Sequence, residues 1–261
     1  MDGWPWLETF FMFIFGAVTG SFLNVCVHRL PREESVIRPR SHCPACKKTI
    51  AWYDNIPIFS FLILGGKCRA CGARIRFRYY VVELVSGLLW VFLWRRYGLS
   101  PLFFYALILL SILLAVSLTD LETGYIPDAL TFFGMGSGLL LSTVFPRLIE
   151  ENLWYRGLWQ SFLGLLAGGG SLLALGLLGN LIFRKESMGG GDIKLLAMIG
   201  TFMGTKKVLF VLMYAPIISL PFVLFKLFKK EKTIPFGPFL ALSGAWFFIY
   251  GERFLSEFYF F

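Results

Sequence analysis

The fold expected from this sequence is an all-α polytopic membrane protein of about eight transmembrane helices, with a small polar insertion after the first of them. Three observations predict it. Hydrophobic residues make up 57% of the 261 and charged residues only 16%, well under the roughly one quarter charged residues of soluble domains. Apolar stretches recur along most of the chain, several near the ~20 residues a helix needs to cross the hydrocarbon layer. Lysine and arginine gather between particular stretches rather than scattering, and the 29 phenylalanines suit side chains that face lipid tails and interfaces.

In order, the stretches run approximately over 6–27, 79–97, 100–119, 128–146, 158–183, 191–204, 207–228 and 235–255. The first contains Gly16, Ala17, Gly20 and Ser21 and superficially fits a cleaved signal peptide. Residues 1–8 hold no lysine or arginine, however, and basic residues begin only at Arg29. It therefore reads as a retained helix whose C-terminal end is cytoplasmic. The sixth stretch is too short to span comfortably and fits a half-helix, or one that begins inside the membrane.

With eight crossings and an external N-terminus, the cytoplasmic segments are roughly 28–78, 120–128, 184–194 and 226–234. They hold 18 of the 25 lysines and arginines, Lys185, Lys230 and Lys232 among them, as the positive-inside rule requires. Segment 28–78 alone has eleven basic residues against Glu33, Glu34 and Asp54, nearly the whole excess of a chain of net charge +9. Anionic lipid headgroups are its expected partner. Nucleic acid is not, because no recognition helix or aromatic-rich binding motif accompanies the charge.

Four of the five cysteines form Cys43-Pro-Ala-Cys46 and Cys68-Arg-Ala-Cys71, with 21 residues between the pairs. Two such pairs in a short polar segment with too few apolar residues for a core point to a zinc-ribbon-like insertion, in which four thiolates close a structural zinc site. Metal binding then supplies the folding free energy the segment lacks. Disulfides would be the other use of the spacing, but the reducing cytoplasm disfavours them. His42 adjoins Cys43 and competes as a ligand, although four cysteines already complete the site. Cys26 stands apart in the first apolar stretch and reads as a small buried hydrophobe.

Carboxylates beside apolar helices are costly unless something uses them, which directs attention to three. Asp120 closes the third stretch, Asp128 follows in Ile126-Pro127-Asp128, and Asp192 opens the sixth after Gly189-Gly190-Gly191. All three fall on the cytoplasmic side, so residues some 70 positions apart can meet at one depth. Two carboxylates sharing a proton there would supply a base toward water and an acid toward a scissile carbonyl, while the glycines let a peptide backbone come close. Structural roles compete with this reading. Asp128 is expected as an N-cap and Asp192 could cap the sixth helix, but Asp120 ends a helix and opposes its macrodipole. Glu83 is expected to pair with a basic residue of the insertion. Asn24 and His28 are expected to satisfy backbone and headgroup partners.

The segments Gly20-Ser-Phe-Leu-Asn-Val25, His28-Arg-Leu-Pro31, the double Cys-x-x-Cys, Trp52-Tyr-Asp-Asn-Ile-Pro57, Val82-Glu-Leu-Val-Ser-Gly87, 120–128 and Met188-Gly-Gly-Gly-Asp-Ile-Lys194 together resemble, in order, the bacterial type IV prepilin peptidases. The Gly-x-Gly-Asp element alone is shared with presenilin-like proteases. The resemblance implies an aspartic endopeptidase of the bacterial inner membrane, its active site facing the cytoplasm. It would remove the short basic leader of prepilins or pseudopilins after a glycine. It would then N-methylate the new N-terminal residue from S-adenosylmethionine. It maps the catalytic aspartates onto Asp120 and Asp192 and the zinc ligands onto Cys43, Cys46, Cys68 and Cys71. The family's connection between the aspartates is lengthened here around 146–157, externally on this topology.

The implied organisation is a first transmembrane helix over 1–27, a cytoplasmic zinc-binding domain over 28–78 and a transmembrane peptidase core over 79–261. No glycine-rich nucleotide fingerprint follows a strand, so no residue is assigned to the methyl donor. A proton- or ion-coupled transporter using the same aspartates is the competing class, weakened by the lack of an evident repeated half. A noncatalytic zinc-bearing membrane scaffold is the other.

Overall fold

The computed structural model describes residues 5–184, 188–229 and 235–258. The external N-terminus and the inside placements of Lys185, Lys230 and Lys232 fall outside those residues. The described elements are α1 (Pro5–Arg29), α2 (Phe59–Ile63), α3 (Phe77–Tyr97), α4 (Pro101–Thr123), α5 (Asp128–Val144), α6 (Trp154–Phe183), α7 (Gly190–Phe228) and α8 (Gly237–Phe258), with short 3-10 turns between some of them. No β-strand occurs among the described residues. Where a ribbon would use strands, the insertion has two isolated bridges, His42 with Thr49 and Lys67 with Arg74.

Each expected apolar stretch is helical, and two of them join. The sixth and seventh form α7, interrupted at Gly204, whose φ of 72° and ψ of −178° no helix contains. Such a break frees carbonyls that lipid cannot satisfy. The Ser161 hydroxyl donates to the Thr201 carbonyl at 2.7 Å and the Tyr105 hydroxyl to that of Phe202 at 3.1 Å, so buried side chains from neighbouring helices take up the groups at the break. Among the described residues five helical spans are long and apolar enough to cross a membrane, namely Trp6–Arg32, Phe77–Tyr97, Pro101–Thr123, Pro146–Ile182 and Gly190–Lys226. α5 is a shorter apolar helix of 17 residues.

The chain divides into two compact units, Met1–Phe103 and Phe104–Phe261. In the first, α1 lies against α3 with Gly16 and Gly20 facing the backbone of Glu83, Ser86 and Gly87 so closely that an added Cβ would overlap them. This is the small-residue packing that membrane helices use in place of a hydrophobic driving force. The insertion is tied to this helix pair by the buried bond from the Ile58 N–H to the Glu83 carboxylate at 2.7 Å and by the Arg29 guanidinium, which donates to the Ser35 and Pro39 carbonyls at 2.9 and 2.8 Å. Glu83 therefore takes a backbone donor instead of the expected basic side chain. Ile58, the donor of that bond, has a φ of 65°, a strained conformation for a β-branched residue. Asn24 donates to the Tyr79 carbonyl at 3.1 Å, meeting its expected role, and Cys26 is buried as expected.

In the second unit, α6 and α7 touch backbone to backbone where Gly164 meets Gly200. α5 lays Gly134 and Gly138 on Met198 and Thr201 of α7. Large apolar side chains such as Leu140, Leu177 and Leu181 remain exposed on the outer faces, consistent with lipid as the surrounding solvent. The first turns of α5, α7 and α8 and the last turn of α4 all belong to this unit.

Candidate functional site

Two clusters of candidate functional side chains emerge, one in each unit. In the insertion the two Cys-x-x-Cys segments form the same turn twice, 25 positions apart. Lys47 N–H donates to the Cys43 carbonyl and Gly72 N–H to that of Cys68, both at 2.8 Å. Cys43 N–H reaches the Lys48 carbonyl at 2.9 Å as Cys68 N–H reaches that of Ala73 at 2.8 Å. Ile50 N–H to the Ser41 carbonyl and Ile75 N–H to that of Gly66 complete the correspondence. Lys47 and Gly72, with φ of 60° and 70°, occupy equivalent left-handed positions, and each turn directs both of its thiols toward the other pair.

The four sulfurs lie within 4.8 Å of one another, and those of Cys43 and Cys71 are 3.8 Å apart. A tetrahedral ion with metal–sulfur bonds of ~2.3 Å demands sulfur separations of about 3.8 Å, so the donor set fits zinc. Thiol acidities point the same way. The Cys46 backbone N–H, with further donors from Ala45, Cys68 and Cys46, holds the Cys43 thiol down to about 6. Cys71 is pushed up to about 11: a donor from Ala73 opposes the shift, while desolvation and the hydrogen bonds with Cys46, Cys68 and Cys43 drive it. Four clustered thiols thus resist full ionisation without a cation to balance them. His42 faces the Arg40 carbonyl at 3.3 Å, and the sulfurs assemble without it. Arg69, between the second pair of cysteines, grips Asp54 with three N–H to oxygen contacts of 2.7 to 3.0 Å, holding its carboxyl below the usual range.

The second cluster is built from the ends of helices. α4 runs on to Thr123, placing Asp120 in its last turn rather than beyond it, only 6% exposed. Its Oδ2 accepts the Gly237 N–H at 2.9 Å, the first residue of α8. A carboxylate at a helix C-terminus opposes its own macrodipole, and here the N-terminus of a second helix offsets that cost with an otherwise orphan donor. A Cβ on residue 237 would stand 2.7 Å from Asp120 Oδ2 and 3.2 Å from Ile126 Cδ1, so any other residue here would displace the carboxylate. Asp192 lies in the first turn of α7, where its N–H donates to the Gly189 carbonyl at 3.2 Å. Asp192 follows Gly191, which packs on Ile126, and the same Ile126 side chain approaches Gly237, the partner of Asp120, so the two carboxyls belong to one cluster. Ile126 joins the parts, filling the space a side chain on Gly191 would need.

Asp128 departs from its expected role. The N-cap of α5 is Pro127, with no side-chain capping bond, and the Asp128 carboxylate instead takes the Lys194 ammonium with both oxygens at 2.7 Å. Gly237, Ile126 and this ion pair were not singled out from the sequence. The only local signals were Lys194 two positions after Asp192 and the Pro235-Phe236-Gly237-Pro238 helix start. Chemically, a buried carboxylate held by one backbone donor beside a second carboxyl, on a glycine-rich helix start, can activate water and protonate a carbonyl.

Comparison with known proteins follows the same division of the chain. Residues 14–97 match the bacterial peptidase A24 N-terminal domain and residues 107–224 match the type IV leader peptidase family. A prepilin leader peptidase/N-methyltransferase of Bacillus subtilis is 35% identical over 94% of this chain and 95% of its own length. One of Aeromonas salmonicida is 34% identical over 93% of this chain and 90% of its own length. One of Myxococcus xanthus is 38% identical over 78% of this chain, which spans 59% of that relative. No solved structure gave a significant match. Both halves of the family are present in order, each holding one of the two clusters, and full-length relatives align almost end to end: the chain belongs to the type IV leader peptidase family.

Proposed function

We propose that this protein is an aspartic endopeptidase that cleaves the leader from type IV prepilins or pseudopilins. Asp120 and Asp192 are its catalytic pair. The observation that carries this reading is the Asp120 carboxylate, buried and bound at 2.9 Å by the Gly237 amide, with Ile126 packed against both Gly237 and the glycine-rich start of α7 that bears Asp192. One carboxylate takes a proton from water as the oxygen adds to the scissile carbonyl carbon. The other gives its proton to the carbonyl oxygen. Collapse of the tetrahedral intermediate returns a proton to the leaving amine, and no covalent enzyme intermediate forms.

The chain crosses the bacterial inner membrane eight times in this proposal, with the Gly204 break separating two crossings of α7. The N-terminus is outside and the aspartates face the cytoplasm. Residues 1–27 are the first crossing, 28–78 a cytoplasmic zinc domain held by Cys43, Cys46, Cys68 and Cys71, and 79–261 the peptidase core. Zinc would supply folding free energy to that domain and no step of the hydrolysis. N-methylation of the new N-terminus with S-adenosylmethionine as co-substrate rests on the relatives' names. The basic surface of 28–78 meets anionic lipid headgroups.

The test is cleavage of a prepilin by purified protein carrying Asp120→Asn or Asp192→Asn. Each variant is expected to lose cleavage while remaining folded and still methylating a pre-cleaved pilin. Near-normal cleavage by Asp120→Asn alongside loss in Asp128→Asn, at equal expression, would show that the wrong partner has been assigned to Asp192.

A further inference from the structure

The aspartates are aimed by something other than themselves, because the start of α7 is poor in side chains that could hold it. Residues 189–191 are all glycine, and a glycine run leaves the backbone free to rotate. Two contacts from the segment leading into α5 bear on the turn. Ile126 packs on Gly191, and two residues further along the chain Asp128 binds Lys194. Lys194 follows Asp192 by two positions, so at about 100° per residue their side chains leave the helix roughly 200° apart. A grip on Lys194 from α5 therefore fixes the direction in which Asp192 points.

We infer that the Asp128–Lys194 ion pair is a positioning device, setting the rotation of the first turn of α7 and so orienting Asp192 for cleavage. The inference rests on the aspartic peptidase reading above. Three features separate this role from simple stabilisation. The pair is half-exposed, at 38% for Lys194 and 45% for Asp128, and ion pairs so solvated contribute little to stability. α5 and α7 are already joined at Gly134 and Gly138, so the fold does not need the pair. Asp128 is not the N-cap of α5, which is Pro127, so its carboxylate is not committed to capping that helix. Lys194 sits over the Phe132 ring, 5.7 Å from its centroid, which adds a second hold from α5 on the same ammonium.

The test measures kcat and KM for a prepilin substrate with the full-length protein. Asp128→Asn and Lys194→Met are expected to lower kcat on the order of 10- to 100-fold, the scale of a small misplacement of a reacting group. KM should stay within about twofold, as befits loss of an interaction that matters only in the transition state. Thermal unfolding should be unchanged. The exchanged double variant Asp128→Lys with Lys194→Asp should recover most of the lost kcat. Lys194→Arg should remain within about threefold of the parent, because its guanidinium can also span both oxygens. Single variants that cleave normally, or that raise KM at unchanged kcat, overturn the inference. So does an exchange no better than the worse single variant; if the exchange does not fold, Lys194→Arg as impaired as Lys194→Met overturns it instead. Asp120→Asn and Asp192→Asn run in parallel: if they cleave normally, it is the catalytic assignment that fails, whatever the pair does.

Discussion

The two clusters solve the same problem, bringing acidic groups close together, by opposite means. The thiols of the insertion are gathered by local backbone geometry. Each Cys-x-x-Cys turn makes its own bonds within a few residues, and only one longer-range step, the meeting of two equivalent turns, completes the set. The carboxylates of the core have no such local device. Asp120 and Asp192 sit on different helices, and what joins them is the Gly237 amide, the Ile126 side chain and the glycine contacts that let α5, α6 and α7 approach. A structural metal site can thus be written in a short segment. A site at helix ends needs the whole bundle.

If the clusters are independent in this way, damage to one should leave the other readable. The largest effect is expected from Asp120→Asn or Asp192→Asn, with cleavage falling on the order of 10³-fold, the scale of a lost general acid or base. Zinc content measured by elemental analysis should stay at one equivalent. Loss of zinc in either variant would break the comparison.

Cys43→Ser should act in reverse. Removing one of four ligands withdraws a large part of the ~10–16 kcal/mol that structural zinc contributes. Zinc should drop below about half an equivalent, and limited proteolysis should open 28–78 while α6 and α7 stay protected. Retention of a full equivalent of zinc by the variant, with its three remaining site thiols freely reactive, would contradict the site.

A smaller effect is expected at the joint of the carboxylate cluster. In Gly237→Ala the new methyl meets Asp120 Oδ2 at 2.7 Å and Ile126 Cδ1 at 3.2 Å, so Asp120 must shift. Cleavage should fall about 10- to 100-fold, and comparison with Gly170→Ala, where an added Cβ meets nothing within 4 Å, separates the shift from a general effect of alanine.

The smallest effect belongs to Asp54→Asn, which removes the carboxylate gripped by Arg69. Because pairing with Arg69 lowers the folded-state pKa of Asp54, the stabilisation is present above the ordinary carboxylate range and lost as pH falls through the lowered value. Amide exchange over 52–69 should quicken slightly in the variant at neutral pH. The difference from the parent should vanish under acid, and a difference that persisted there would remove the ion pair as its cause.

The amino-acid sequence alone determined much of this molecule. Helix positions follow from runs of apolar residues, a property each segment carries by itself, and the four-cysteine cluster follows from cysteine spacing, which sets where four thiols can point. The distribution of basic residues led to the expectation that Asp120 and Asp192 lie on one side of the membrane. Only the tertiary structure decided that Glu83 would hold the Ile58 amide, that Asp128 would bind Lys194 instead of capping α5, and that α8 would hand Asp120 a backbone donor. The reason is physical. A side chain's hydrogen-bond partner in a helical bundle depends on the rotation and depth of a neighbouring helix, and those are set by where small residues allow two backbones to touch, a relation between distant segments that neither segment encodes alone.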